Sequence, residues 1–349
     1  MPLAAGATVR IAGTGSYVPE HVVSTELIGS LVERYVPGKG AAWAREKLGI
    51  RERRFTVPLD RMTGYPRSIG DELDLAGLAA VRALQAARMA PEDLSGLWFV
   101  SCTQPDTHRH FSRMAMDLHR RLGLRPEAFA LEMDAGCGGA VHAIAAAVAQ
   151  MRGADLDSVL IVAANAPSQY FRHWERYAVS SAWLAMYLFG DGAGAAVLQR
   201  AGCQELERGI LAAYTASDPN NPLMEYASPV GGRGPVYLID GRGVVLGFRG
   251  YARAAMDALR CRYPFRLDDI RRFYFHQVNG VVLRQFIAEI GILESRVAIH
   301  VDRYGNLAAA ATLVLLDEDL RNGIIKAGDL CLVCTVGAGA QYGAILLRV

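Results

Sequence analysis

Lysine is almost missing from this chain: Lys39, Lys47 and Lys326 are the only ones among 37 basic residues. Against 35 acidic residues, the 349-residue chain has a formal net charge of +2. That near-balance supplies no field to gather DNA or RNA, so nucleic acid is not expected as the main partner. The arginine bias carries no functional reading. No apolar run reaches membrane-spanning length and no charged-then-apolar signal opens the chain, so no membrane association is expected and the cytoplasm is the expected compartment. The six cysteines (Cys102, Cys137, Cys203, Cys261, Cys331, Cys334) form no disulfide framework, and a chain of this length needs none. Cys331 and Cys334 make a C-x-x-C, but no second pair completes a zinc site, and both lie in an apolar run that reads as a buried strand. His108 and His110 lack a carboxylate or cysteine at ligand spacing. No metal is expected.

What is present is ample apolar material: 52% hydrophobic residues, 21% charged and 36 glycines. That suffices for two domains, or one double domain, around a well-buried core. Short β-branched runs read as strands: Val9 to Gly13, Gly96 to Cys102, Ser158 to Ala163, Gly194 to Leu198, Phe273 to Phe275, Leu330 to Thr335 and Tyr342 to Leu347. Helical patterns fall between them: Leu75 to Met89, Arg113 to Leu122, Ala140 to Met151, Gly250 to Arg260, Val281 to Ile290 and Leu307 to Arg321. The alternation predicts an α/β protein with helices packed on largely parallel sheets. Ser217 to Asp240 reads as a long loop, and Pro167 to Leu188 as a long aromatic segment.

One order of elements occurs twice. From Cys137 come small residues, an alanine-rich helix, a loop ending in Asp157-Ser158 and the strand Val159-Leu-Ile-Val. From Asn306 come Leu307-Ala-Ala-Ala-Ala-Thr, a helix, a loop ending in Gly328-Asp329 and the strand Leu330-Cys-Leu-Val. This predicts a duplicated unit whose halves meet near residue 204. Cys137 and Asn306 would then face each other where two helix N-termini converge, a place that favours negative charge.

Cys137 lies in Met-Asp-Ala-Gly-Cys-Gly-Gly-Ala, ahead of a helix expected to be buried on all sides. A sulfur beside a helix N-terminus is favoured as thiolate, hence as nucleophile; a small buried thiol is the other reading. His276, in Phe-His-Gln-Val-Asn, ends a short strand and is placed to face a crevice, or else is a satisfied structural histidine. Gly190-Asp-Gly-Ala-Gly is followed by a strand rather than a helix, which excludes a dinucleotide-binding loop.

These pieces in this order resemble the thiolase superfamily and, within it, the ketoacyl-ACP synthase III group. The matching stretches are Gly13-Thr-Gly-Ser-Tyr-Val-Pro, Trp43 with Gly49-Ile-Arg-Glu-Arg-Arg, Asp134-Ala-Gly-Cys137, Phe189-Gly-Asp-Gly-Ala-Gly-Ala-Ala-Val-Leu, His276-Gln-Val-Asn279, Tyr304-Gly-Asn306 and Gly337-Ala-Gly-Ala-Gln-Tyr-Gly343. They span almost the whole chain. The resemblance implies a thiolase fold, with halves 1–203 and 204–349 in five α-β-α-β-α layers. It implies that Cys137 takes an acyl group as a thioester, with His276 and Asn306 as partners, and that the Cys137 and Ala338 N–H groups form an oxyanion hole. Trp43, Lys47 (where the family has arginine), Asn279 and Arg284 fall at substrate- or coenzyme A-binding positions, and His110 and Phe111 at the pocket entrance. Acyl-CoA or acyl carrier protein would deliver the substrate, no other cofactor is implied, and a homodimer is expected.

Several departures qualify that expectation. Val281 stands where a basic carrier-docking residue is expected, with Arg284 a turn on; the second adenine-clamping arginine falls near Trp183; and Ala338 replaces a glycine. They weaken the case for coenzyme A priming and leave room for a carrier protein as acyl donor. The long segments Pro167 to Leu188 and Ser217 to Asp240 and the entrance residues His110-Phe111-Ser112 point to a reshaped acyl pocket and a place in polyketide assembly, with a pyrone joined from two chains among the expected products. Two alternatives stand beside condensation: transfer of the acyl group to an alcohol or amine, and a non-catalytic partner subunit, which the presence of Cys137 disfavours.

Overall fold

The computed structural model describes residues 8–60, 71–103, 113–154, 156–171, 183–201, 208–227 and 236–349. In chain order the first part runs β1 (Thr8–Tyr17), β2 (His21–Ser24), α1 (Thr25–Val32), α2 (Ala41–Leu48), β3 (Glu52–Phe55), α3 (Glu72–Ala87), β4 (Gly96–Val100), α4 (Arg113–Leu122), β5 (Phe129–Met133), α5 (Gly139–Gly153), β6 (Ser158–Asn165), α6 (Trp183–Leu188) and β7 (Gly192–Ala201). The second runs β8 (Gly209–Ser217), β9 (Met224–Ala227), β10 (Val236–Ile239), α7 (Gly241–Arg262), β11 (Arg272–Phe275), α8 (Gly280–Glu289), α9 (Val301–Tyr304), α10 (Ala311–Arg321), β12 (Leu330–Gly337) and β13 (Gln341–Arg348).

Two mixed sheets, rather than the largely parallel ones expected, carry the architecture, because β7 and β13 each return as an antiparallel neighbour on both sides. The first has the order β1-β7-β6-β4-β5, the second β11-β12-β13-β8. In the first, β4 is parallel to β5 and β6, while β7 is antiparallel to β6 and β1. In the second, β11 is parallel to β12, while β13 is antiparallel to β12 and β8. Strand for strand the pattern is the same, and a single parallel bridge from Phe273 to Val297 occupies the place of β5.

The central strands are apolar on both faces because both faces are covered. Every residue of β6 and of β12 is buried. Helices α5 and α10 lie between the sheets, and their alanines and leucines share one core with inward residues of both, among them Val159, Ile161, Val333 and Ile345. Helices α3 and α4 cover the outer face of the first sheet, and α7 and α8 that of the second. The result is five layers, α-β-α-β-α. A satellite core joins α1, α2 and α6. Among the described residues no helix is long and apolar enough to cross a membrane.

Four local expectations need correction. Helix α7 starts at Gly241, nine residues before the expected Gly250, with the Asp240 side chain capping Arg242 N; Gly241, Gly243, Gly247 and Gly250 disguise its first turns. Residues 217–240 are not one loop, because β9 and β10 pair as antiparallel strands. The helix expected from Leu307 begins as a 3₁₀ turn, Ala308–Ala310, and turns α-helical at Ala311. Finally, α5 is not buried all round: His142, Ala145 and Ala146 are half-buried and Ala149 is exposed. They border a cavity of about 610 Å³ that Met133, Arg152, Ala213 and Arg262 also line. The boundary expected near residue 204 lies outside the described residues.

Candidate active site

Three strand ends and two turns build the site. Cys137 sits two residues before α5, in a loop tied by Gly138 N to Ala135 O (3.1 Å) and Gly139 N to Gly136 O (3.1 Å). Gly136 takes φ +52°, the left-handed conformation that suits glycine and lets the loop reverse. His276 follows β11, and its backbone N donates to Cys334 O at 2.9 Å. The next residue fixes the turn: Gln277 Oε1 accepts from His300 N (3.0 Å) and Val301 N (3.2 Å), while its Nε2 donates to Phe275 O (2.8 Å). Asn306 is stitched on both sides, donating to Leu188 O (2.8 Å) and accepting from Gly190 N (3.1 Å).

The side chains converge. Asn306 Nδ2 stands 3.5 Å from His276 Nε2, and the Asn306 Oδ1 accepts from Ala308 N at 2.8 Å, which turns the NH₂ face toward the histidine. His276 is near enough to Cys137 to help lower the pKa of its thiol. Exposure is 6% for Cys137, 3% for His276 and 4% for Asn306, so the three meet in a nearly dry place. His276 Nδ1 is buried with no hydrogen-bond partner among the described residues. Ala308, a non-glycine residue at φ +50°, packs against Cys137, and a residue held in that region costs about 1–2 kcal/mol.

Electrostatics favours the anion on Cys137. A hydrogen bond from Cys102 does most to hold its thiol well below the ordinary range; burial opposes this, and the charge and hydrogen bond of His276 add to it. Asp134, in the same loop, is raised by burial. Cys331 and Cys334 are inert by contrast, each pushed by burial up to about 12.

Ala338, the expected oxyanion donor, follows β12. It is not among the positive-φ residues, so the backbone there does not require glycine. A Cβ built on Gly136 would lie 3.0 Å from Ala338 N, which sets that amide against the Cys137 loop. The other candidates sit on α2 and α8. Trp43 packs edge-on to Trp183, with centroids 5.2 Å apart, under Lys39 Nζ at 4.7 Å. Lys47 is exposed and paired with Glu46 at 2.7 Å. Asn279 caps α8, its Oδ1 accepting from Val282 N at 2.8 Å. Arg284 pairs with Glu294 at 3.2 Å. Gly49, at the end of α2, abuts Gly280 and Val281, so the Lys47 and Arg284 helices meet at one edge. His110 and Phe111 lie outside the described residues, as do His108 and Cys203. Among the described residues no group of three or more His, Cys, Asp and Glu could hold a metal ion.

Two site residues were not singled out from sequence. Cys102 follows β4, and both its N and its Sγ approach Asn165 Oδ1, at 3.1 and 3.2 Å. Asn165 ends β6 and donates to Leu307 O at 3.4 Å. The available signal was positional: both stand at carboxyl ends of adjacent parallel strands, where α/β proteins place ligands.

The family model for 3-oxoacyl-[acyl-carrier-protein (ACP)] synthase III matches residues 131–219, and that for its C-terminal part matches residues 262–349. The beta-ketoacyl-[acyl-carrier-protein] synthase III of Chelativorans sp. (strain BNC1) is 31% identical over 346 residues, covering 98% of both chains. The chain belongs to the ketoacyl-ACP synthase III family. Its fold is that of the Thermus thermophilus synthase III (TM-score 0.81, 26% identity, 97% and 99% of the two chains covered). Xanthomonas campestris OleA, solved with bound lauric acid and lauroyl-CoA, shares that fold at TM-score 0.82 and 17% identity, with 98% and 99% covered. The five layers are therefore those of the thiolase fold, and this synthase III-like chain is a condensing enzyme of the acyltransferase class.

Proposed function

We propose that Cys137 is the nucleophile and that His276 and Asn306 hold the enolate oxygen in a decarboxylative or Claisen-type condensation. The observation that carries this reading is the meeting of all three in one buried spot, with two nitrogens 3.5 Å apart beside an ionisable sulfur. In the first step the Cys137 thiolate attacks an acyl thioester; a new C–S bond forms and the incoming thiol leaves as thiolate. Thioester exchange is nearly isoenergetic, so orientation and an ionised sulfur suffice. Backbone N–H groups of Cys137 and Ala338 receive the oxyanion of the tetrahedral intermediate. In the second step a malonyl-type thioester loses CO₂, and the electron pair of the broken C–C bond becomes the enolate. His276 Nε2–H and Asn306 Nδ2–H donate to the enolate oxygen, each worth about 3 kcal/mol in a dry site. The carbanion then attacks the acyl-cysteine, the C–C bond forms and the Cys137 thiolate departs.

Acyl thioesters are the only small molecules this chemistry requires. Acyl carrier protein is proposed as the carrier, with Lys47 and Arg284 on the edge where α2 meets α8 and Asn279 capping that entrance. Trp43 already packs against Trp183 and lies beneath Lys39, which disfavours an adenine stacked there. Polyketide assembly, including the joining of two chains to a pyrone, is the proposed setting. The halves 1–203 and 204–349 are proposed as the duplicated units, in keeping with the matching strand orders. A homodimer is proposed through β5, an edge strand whose Leu131 is 40% exposed.

The test is intact-protein mass spectrometry after exposure to acyl-CoAs and acyl carrier proteins. Wild type gains one acyl mass and Cys137→Ala none; full acylation of that variant removes the nucleophile assignment. Asn306→Ala should still acylate yet lose malonyl decarboxylation by about 10²–10³-fold. Unchanged decarboxylation, with the acyl group passing to an added alcohol or amine, establishes acyl transfer instead.

A further inference from the structure

Cys137 is not the only thiol at this site. Cys102, Cys137 and Ala308 form a small buried cluster of their own, separate from the main cores. The Cys102 thiol donates to Asn165 Oδ1 at 3.2 Å, and the Cys137 sulfur, packed beside it in the same cluster, is a second acceptor for it to turn to. It has one proton to give. Asn165 also fixes the Cys102 backbone, so the thiol turns about its own Cα–Cβ and Cβ–S bonds rather than drifting.

We propose that Cys102 is a further catalytic residue, whose S–H donates to the Cys137 sulfur when that sulfur is anionic and returns to Asn165 Oδ1 when Cys137 carries an acyl group. The inference rests on reading Cys137 as the nucleophile. An acylated sulfur is a poor acceptor, whereas a thiolate is a strong one, so the hydrogen bond forms in the states where negative charge lies on sulfur. Those states are the resting enzyme and the moment at which the enolate displaces Cys137 as leaving group. Only the proton's direction changes; no bond to hydrogen is broken.

The surrounding charges fix which of the two sulfurs ionises. His276, at the end of β11, faces Cys137 and attracts the anion. Cys102 faces Asp134, after β5, and Glu72, at the start of α3. When ionised, both carboxyl groups oppose charge on Cys102, and its thiol is held well above its ordinary value, first by the hydrogen bond to Cys137 and then by burial. Asn306 is neutral, and His300, buried behind His276, is itself pushed down to about 3 by burial. Cys102 thus remains a thiol over the working range and is always able to donate.

The experiment follows modification of the full-length protein by 2,2′-dithiodipyridine from pH 5 to 10, with Cys137 resolved by peptide mass because Cys261 is exposed. Cys102→Ala should raise the midpoint for Cys137 by about one pH unit, a tenfold loss of thiolate below it. A more basic thiolate is also more nucleophilic, with a Brønsted slope of about 0.5. The variant should therefore react about threefold more slowly at pH below both midpoints and about threefold faster above both, so that the two profiles cross. Cys102→Ser keeps a donor and should follow wild type. Cys102→Val, which fills the space without donating, should behave as the alanine variant and carries the test if that one fails to fold. Superimposed profiles for wild type and the donorless variants overturn the proposal, as does a serine variant that shifts with them. The probe reads the Cys137 sulfur whatever acyl group it accepts, so a failure of condensation would leave this result standing, and the reverse.

Discussion

Replacing Gly337 with alanine should disable the enzyme without touching any reacting side chain. Gly337 is the last residue of β12, and a Cβ there would lie 2.5 Å from Gly138 N, 2.7 Å from Cys137 N and 2.9 Å from Ala135 O. Carbon contacts settle at about 3.5–4 Å, so the strand and the nucleophile loop must separate by roughly 0.5–1 Å. None of the three atoms can swing away, because all are backbone. Gly337 is held in register opposite Gln341, in a strand buried along its whole length. Such overpacking costs about 1–3 kcal/mol of stability. Misplacing the attacking sulfur by about 1 Å costs on the order of 10²-fold in rate. Gly153→Ala is the control, since nothing lies within 4 Å of its would-be Cβ and its φ is not left-handed; it should stay within about 1 kcal/mol of wild type. Urea unfolding reads the first quantity and the rate of Cys137 acylation the second. A Gly337→Ala protein that acylates at the wild-type rate would show that the loop does not depend on this close approach.

Burial raises Glu72 to about 8, against 4.5 for the free group. The native state therefore keeps a proton that the unfolded chain has lost, and stability falls as pH rises through this window and levels off above it. Between pH 6.5 and 8 wild type should lose roughly 2 kcal/mol relative to Glu72→Gln, read by urea unfolding at both pH values; equal losses would contradict the buried acid. Arg53 is fully buried and donates to Tyr187 O (2.7 Å) and Val23 O (3.1 Å). Arg53→Met strands both carbonyls and should cost about 2–5 kcal/mol, and a loss under about 1 kcal/mol would mean that water replaces the guanidinium. Leu131→Arg should turn a dimeric wild type monomeric in light scattering; a wild type that is already monomeric removes the β5 interface.

Much of this arrangement is legible in the chain because it is local. The amphipathic pattern of Arg113 to Leu122 matches α4 at both ends, and the apolar run from Leu330 is a fully buried strand, as a run covered on both faces must be. The order of motifs brought Cys137, His276 and Asn306 forward together, and the structure sets the His276 and Asn306 nitrogens 3.5 Å apart. What escaped was either short or non-local. Strands β2 and β3 have four residues each, and the second contains Arg53, a charge no hydrophobic pattern assigns to the interior. Strand β5 has five residues, four half-buried and Leu131 exposed, too few for a period to emerge. The start of α7 is hidden by glycines. The Cys102–Asn165 contact joins residues 63 apart, and only the pairing of β4 with β6 brings them together.

The alanines between the two sheets have a mechanical consequence. Cys137 follows β5 of the first sheet, His276 follows β11 of the second, and Ala140, Ala143, Ala147, Ala309, Ala310 and Ala311 lie in the layer between the sheets. Methyl-sized side chains act there as a shim, so the gap between the nucleophile and the imidazole is gauged in part by small residues of the core. Thickening the shim by one isobutyl group at Ala147, two turns into α5, would wedge the sheets apart and widen the catalytic gap from a distance.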